Sequence, residues 1–116
     1  MKIIDCFMYY DEDLVLDIRL NILDKYVSNF VICEANFNHN GTNRDLKFDI
    51  KKFSKFREKI IYVPVSDLPE GNDPYLRENY QRNCISKGIV NAKNDDIILI
   101  SDLDEIPNPK KLNLFK

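Results

Sequence analysis

Four apolar runs punctuate the chain: Ile3-Ile4 with Cys6-Phe7-Met8, Phe30-Val31-Ile32-Cys33, Ile60 to Val65, and Ile97-Ile98-Leu99-Ile100. Short continuous runs of this kind read as strands covered on both faces, and such strands belong to parallel sheets. The spacing predicts strands over Lys2 to Tyr10, Asn29 to Glu34, Ile60 to Val65 and Ile97 to Ile100. Between them lie stretches with helical character. Asp11-Glu12-Asp13 supplies capping and first-turn acids for a helix from Leu14 to Tyr26, with Leu14, Ile18, Ile22 and Leu23 on one face. Phe48, Ile50, Phe53 and Phe56 among lysines predict a surface helix over Asp49 to Lys59. Tyr75 to Lys93 predicts the longest helix, with Tyr80, Cys84, Ile85 and Ile89 turned inward and Gly88 as a tolerated weak point. A repeating strand-helix pattern has one simple solution, an α/β three-layer sandwich around a mostly parallel sheet. A chain of 116 residues holds one such domain at most.

Charge and cysteine content narrow the function. With 17 lysines and arginines against 19 acids, the chain offers no general nucleic-acid surface. No run of about 18 apolar residues marks a membrane segment, and Met1-Lys2-Ile3-Ile4-Asp5 does not open a signal peptide. A cytoplasmic setting is therefore expected. Cys6, Cys33 and Cys84 are odd in number and sit among apolar neighbours, which predicts packed, reduced thiols. Gly41, Gly71 and Gly88 are too far apart for a Gly-rich phosphate loop. His39, the one histidine, lies in the polar stretch Asn36 to Arg44 with no evident nucleophile partner, and reads as a solvated loop residue. Within that stretch Asn40-Gly41-Thr42 reads as a turn, and Ser66 to Pro74 is a second loop.

The chemistry concentrates where the last apolar run ends. Ile97 to Ile100 runs into Ser101-Asp102-Leu103-Asp104-Glu105-Ile106-Pro107, delivering carboxylates at the tip of a buried strand. Ligands of open α/β sheets bind at that end. Asp102 and Asp104 stand two apart, so they share a face if extended and converge if turned. Either geometry suits Mg²⁺ or Mn²⁺, which takes few protein carboxylates and completes its shell with water and substrate phosphates. The bland alternative is a capped acidic turn. Glu105 is either a supporting carboxylate or a solvated turn residue. Glu34 also closes a strand. On the long helix, Arg77-Glu78-Asn79-Tyr80-Gln81-Arg82-Asn83 places Arg77 and Arg82 where a guanidinium fork could meet a pyrophosphate or the acidic turn. Glu78 and Arg82 also fit a plain helix salt bridge.

Five blocks taken in order carry a family resemblance. They are Lys2-Ile3-Ile4-Asp5-Cys6-Phe7-Met8-Tyr9-Tyr10, Asp17-Ile18-Arg19-Leu20-Asn21, Phe30-Val31-Ile32-Cys33-Glu34-Ala35-Asn36, the Arg77 to Asn83 block, and Asp95 to Pro107. Together they resemble glycosyltransferase family 17. The resemblance implies a GT-A-like, Rossmann-like fold with Asp102 and Asp104 as the Asp-x-Asp that binds Mn²⁺ or Mg²⁺. Glu34, Arg77, Arg82 and Asp102 are then expected around a UDP-sugar donor. It further implies metal-dependent, inverting transfer of N-acetylglucosamine from UDP-GlcNAc to a glycan acceptor, as in the N-linked glycosylation that family members perform. Residues 1–116 would be the N-terminal, donor-binding half, with the catalytic base beyond residue 116. Animal members carry an amino-terminal membrane anchor, whereas this sequence opens directly at the first strand, so a bacterial or viral type of member is expected.

Two other readings compete. One is a truncated nucleotide-binding remnant without catalysis. The other is a haloacid-dehalogenase-like phosphatase with Asp102 as nucleophile. The latter needs motifs for which the residues after Asp104 leave no room.

Overall fold

The computed structural model describes residues 2–38, 42–66 and 74–112. Strands β1 (Ile3–Met8), β2 (Asn29–Ala35), β3 (Ile60–Val65) and β4 (Ile97–Ile100) form one sheet in the order β3-β2-β1-β4. Every neighbouring pair is parallel. The anticipated parallel α/β sandwich is thus what forms. Side chains alternate across the sheet as the pleat requires. Ile3, Phe7, Phe30 and Ile32 join one core layer, and Ile4, Cys6, Val31, Cys33, Val63 and Val65 join the other.

Helix α1 (Asp13–Leu23) and the 3-10 turn Ile50–Phe56 cover the first face through Leu16, Leu20, Leu23, Phe53 and Phe56. Helix α2 (Pro74–Asn83) continues into the 3-10 turn Cys84–Gly88, which packs Cys84 and Ile85 on the second face. The change of face has a topological cause. The chain steps outward from β1 to β2 to β3, then crosses back over both to place β4 on the far side of β1. Crossovers of constant hand put the returning connection on the opposite face.

The structure corrects three predicted helices. In α1 the buried residues are Leu16, Arg19, Leu20 and Leu23, while Leu14, Ile18 and Ile22 are 75%, 44% and 41% exposed. Both stripes have helical spacing. The buried stripe also carries Arg19 inward, where it pairs with Asp5, a buried acid on β1. The predicted Asp49 to Lys59 helix is a kinked 3-10 turn, with Phe53 at φ −124° and the Asp49 side chain accepting from the Lys51 N–H at 3.0 Å. Phe53 and Phe56 nevertheless face the core as expected.

The predicted helix from Tyr75 to Lys93 gives way after Asn83 to the 3-10 turn Cys84–Gly88, which brings Gly88 against the sheet. A Cβ on Gly88 would lie 2.5 Å from Val31 Cγ1 and 3.1 Å from Val63 Cγ2. Glycine lets this turn approach the sheet, so it is a packing requirement and not a tolerated weak point. Gly88→Ala is expected to cost about 1–3 kcal/mol, read as a lower urea midpoint. A short helix, α3 (Pro109–Leu112), follows the segment after β4. His39, Asn40, Gly41 and most of the Ser66 to Pro74 loop lie outside the described residues.

All three cysteines are free and buried. Burial, helped by the nearby Asp5 carboxylate, pushes the Cys6 thiol up to about 12. Burial, with a contribution from Cys84, does the same for Cys33. A thiol whose folded pKa is raised stabilises the fold fully below its unfolded pKa and loses that contribution as pH rises towards the folded value. Stability is therefore expected to decline from about pH 8.5 towards pH 12. A thiol-disulfide exchange reagent is expected to label Cys6 and Cys33 only after unfolding, whereas fast native-state labelling would contradict their burial.

Candidate functional site

β1 and β4 are neighbours, with β2 and β3 on one side of β1 and β4 on the other, so the strand order reverses between them and their carboxyl ends define the topological switch point. That crevice is where open α/β sheets bind ligands. The chain leaving β4 turns there. The Glu105 N–H donates to the Asp102 carbonyl at 2.9 Å, the Asp102 N–H to Glu105 Oε1 at 3.2 Å, and Ser101 Oγ to the Glu105 carbonyl at 3.0 Å. Leu103 is 3% exposed and belongs to the α1-side core. Asp102 and Asp104, on either side of it, remain exposed. Glu105 thus supports the turn that carries them.

Beneath the turn sits Arg19, which is fully buried. Its Nε and Nη2 donate to the two oxygens of Asp5 at 2.8 and 2.6 Å, a bidentate pair. Nη1 donates to the carbonyls of Asp102, Leu103 and Glu105 at 2.7, 3.1 and 3.2 Å, and Nη2 also donates to Ser101 Oγ at 2.7 Å. The guanidinium lies 4.6 Å from the centre of the Phe7 ring. Sequence reasoning quoted Arg19 and Asp5 without giving either a role. The available signal was an acid in the middle of an apolar strand, which must find a cation when buried.

Two concavities share Asp102. One, of about 240 Å³, is lined by Arg82, Ile100, Ser101, Asp102 and Glu105. The other, of about 250 Å³, is lined by Met8, Tyr10, Glu12, Glu78, Asp102, Leu103 and Asp104. Arg82 bridges them, 3.3 Å from Glu78 and 3.6 Å from the Asp102 carboxylate. The helix salt bridge and the site contact read from the sequence therefore coexist. Burial and the neighbouring Asp104 raise the pKa of Glu12. Asp11, preceding it, takes a left-handed φ of 83°, a conformation that aspartate adopts more readily than most residues. Burial raises the Tyr10 phenol, whose hydroxyl donates to Gln81 Oε1.

Glu34 and Arg77 are placed differently from Asp102, Asp104 and Arg82, since neither lines either concavity. The buried Glu34 carboxylate accepts from the Tyr62 hydroxyl at 2.8 Å and from the N–H groups of Lys47 and Phe48 at 2.7 and 3.1 Å. Arg44 approaches it at 3.0 Å and lies 5.5 Å over the Tyr10 ring. Glu34 thus holds the segment that backs one wall of the cleft. Arg77 is buried on α2. Among the described residues, no three His, Cys, Asp or Glu side chains gather closely enough to hold a metal by themselves. Two carboxylates on one exposed turn still fit a hard cation that arrives with substrate phosphates.

A parallel α/β sandwich with an acidic turn at its switch point is a GT-A-like Rossmann arrangement. The chain belongs to glycosyltransferase family 17, whose family model matches residues 1–116. Curated relatives from Homo sapiens and Rattus norvegicus, each a beta-1,4-mannosyl-glycoprotein 4-beta-N-acetylglucosaminyltransferase, are 33% identical over 91% of this chain. The Mus musculus protein of the same name is 32% identical over the same share. The matched region spans 22% of the length of these relatives. No solved structure matches the chain. Among the described residues, no helix is long and apolar enough to cross a membrane.

Proposed function

We propose that residues 1–116 form the donor-binding half of a transferase that moves N-acetylglucosamine from UDP-GlcNAc to a glycan hydroxyl with inversion. Family membership and the activity for which the relatives are named support the reaction class. The single observation that carries the donor site is the turn at the switch point, where Leu103 is buried and Asp102 and Asp104 stand out beside Arg82. Asp102 and Asp104 would hold Mn²⁺ or Mg²⁺. When bound, such an ion offsets charge developing on the departing diphosphate.

The chain's own residues supply the rest of the donor site. Arg82 stands beside Asp102 at the lip of the cleft, where its guanidinium can reach a phosphate oxygen. Glu34 acts through Arg44 and Tyr10 to fix the opposite wall. Arg77 serves from within α2, one helical turn before Gln81, which receives the Tyr10 hydroxyl. In the transfer, the acceptor oxygen bonds to the anomeric carbon, the bond from that carbon to UDP breaks, and a carboxylate base takes the acceptor proton. That base is assigned to the longer part of the catalytic domain that the relatives possess. A cytoplasmic setting belongs to the same reading, supported by the three unpaired cysteines.

Calorimetric titration with UDP and UDP-GlcNAc, with and without Mn²⁺, tests the donor site. Binding is expected only with the metal. Equal affinity without it, or no binding at all, would overturn the reading.

A further inference from the structure

We infer that Arg19 is a positioning residue for the acidic turn: it sets the backbone of Asp102 to Glu105 so that both aspartates reach one cation. This inference rests on the donor-site reading above. Six hydrogen bonds leave one guanidinium, two to Asp5 on β1 and four to the turn after β4. The contacts on the turn are three backbone carbonyls and the Ser101 hydroxyl. A planar fork with five N–H donors, one of those on Nη1 shared between two carbonyls, is the side chain that can meet so many acceptors at once.

The direction of these contacts matters. Carbonyls drawn down onto Arg19, together with the buried Leu103 side chain, leave the carboxylates of Asp102 and Asp104 on the cleft side. Asp5 fixes the guanidinium from behind. It is aligned in the sheet with Leu99 of β4, two residues before the turn begins. The clamp is therefore referenced to the two strands whose ends form the switch point. Stability alone does not account for this arrangement, because a buried ion pair is on average no more stabilising than well-packed apolar residues. Groups that orient metal ligands from behind typically govern metal affinity by about 10–100-fold.

The variant to make is Arg19→Lys, which keeps the charge opposite Asp5 but cannot span Asp5, Ser101 and three carbonyls. In the full 116-residue chain, Mn²⁺ affinity in the presence of UDP, read by electron paramagnetic resonance, is expected to fall about 10–100-fold. Circular dichroism is expected to retain the native spectrum. Without metal or UDP, amide exchange of residues 102–105 is expected to quicken, while that of the β1 and β2 core does not.

Ser101→Ala removes one acceptor of Arg19 without burying an unpaired charge, and is expected to weaken Mn²⁺ binding by a smaller factor of about 3–10, below the range for loss of the whole clamp. Should Arg19→Lys fail to fold, Ser101→Ala decides: unchanged Mn²⁺ affinity overturns the inference. A folded Arg19→Lys that binds Mn²⁺ and UDP as tightly as wild type overturns it too, and leaves the donor site standing. Wild-type protein that shows no metal-dependent UDP binding overturns the donor site and the inference together.

Discussion

Arg19→Met is expected to lower the free energy of unfolding by about 3–5 kcal/mol, because it leaves the Asp5 carboxylate buried beneath α1 with nothing to neutralise it. The carbonyls of Asp102, Leu103 and Glu105 lose their common donor as well. Water can replace it at the exposed Asp102 and Glu105, but less readily at buried Leu103. Against a typical domain stability of about 5–15 kcal/mol, the loss is large enough to populate the unfolded state at modest urea concentrations. The double change Asp5→Leu with Arg19→Met removes the stranded charge and is expected to recover about half the loss. Urea unfolding of wild type, both single variants and the double variant gives the coupling directly. Losses that simply add, within about 0.5 kcal/mol, would show that the two side chains do not depend on one another. The double variant also separates stability from function, since recovered folding without recovered Mn²⁺ affinity is what a positioning role requires.

The sheet was legible because its signal is redundant. Every strand is an apolar run, and such a run needs no phase to be recognised, but only β1 and β2 are buried on both faces; the edge strands β3 and β4 are partly covered, with Ile100 53% exposed where a buried strand was expected. Helix faces were less legible, because their assignment depends on a partner that periodicity does not show. Leu14, Ile18 and Ile22 form as regular a stripe as Leu16, Leu20 and Leu23, yet the former is exposed. The buried stripe is the one that also brings Arg19 to the buried Asp5, a partner that periodicity does not show. Gly88 failed for a related reason. A glycine in a helical pattern costs little by propensity, but here it meets Val31 across the layer, a contact that sequence spacing cannot reveal.

The site divides along the same line. Asp102, Asp104 and Arg82 were readable as a group because a strand end and a helix each announce them, and the structure brings Arg82 to within 3.6 Å of Asp102. Glu34 looked equivalent from its place at a strand end. Three donors, from Lys47, Phe48 and Tyr62, and the Arg44 guanidinium paired with it hold its carboxylate against the loop after β2. Arg77 lies on the same helix as Arg82 but five residues earlier, and a helical step of 100° per residue separates five positions by about 140°. That rotation suffices to bury Arg77 while Arg82 is exposed.

Asp104→Ala is expected to weaken Mn²⁺-dependent UDP binding by on the order of 100-fold while leaving the fold intact, removing one of the two carboxylates that the turn offers. The side chain is exposed, so Leu103 and Arg19 continue to hold the turn without it. Electrostatics predict a second effect of opposite sign. Glu12, Glu78, Asp102 and Asp104 line one cleft, faced by Arg82 at its lip. A diphosphate entering without a cation meets these carboxylates, and each one about 6 Å away opposes it by about 0.7–3 kcal/mol per unit charge, depending on the effective dielectric. Metal-free binding by wild type is therefore expected to be negligible. Asp104→Ala should improve it by at least about threefold, because one repulsive charge is gone. Titration of wild type and variant with UDP in Mn²⁺ and in EDTA reads both effects. Weaker binding with metal and stronger binding without it identify Asp104 as a group that serves the cation. A loss of equal size in both conditions would instead make it a support for the cleft wall.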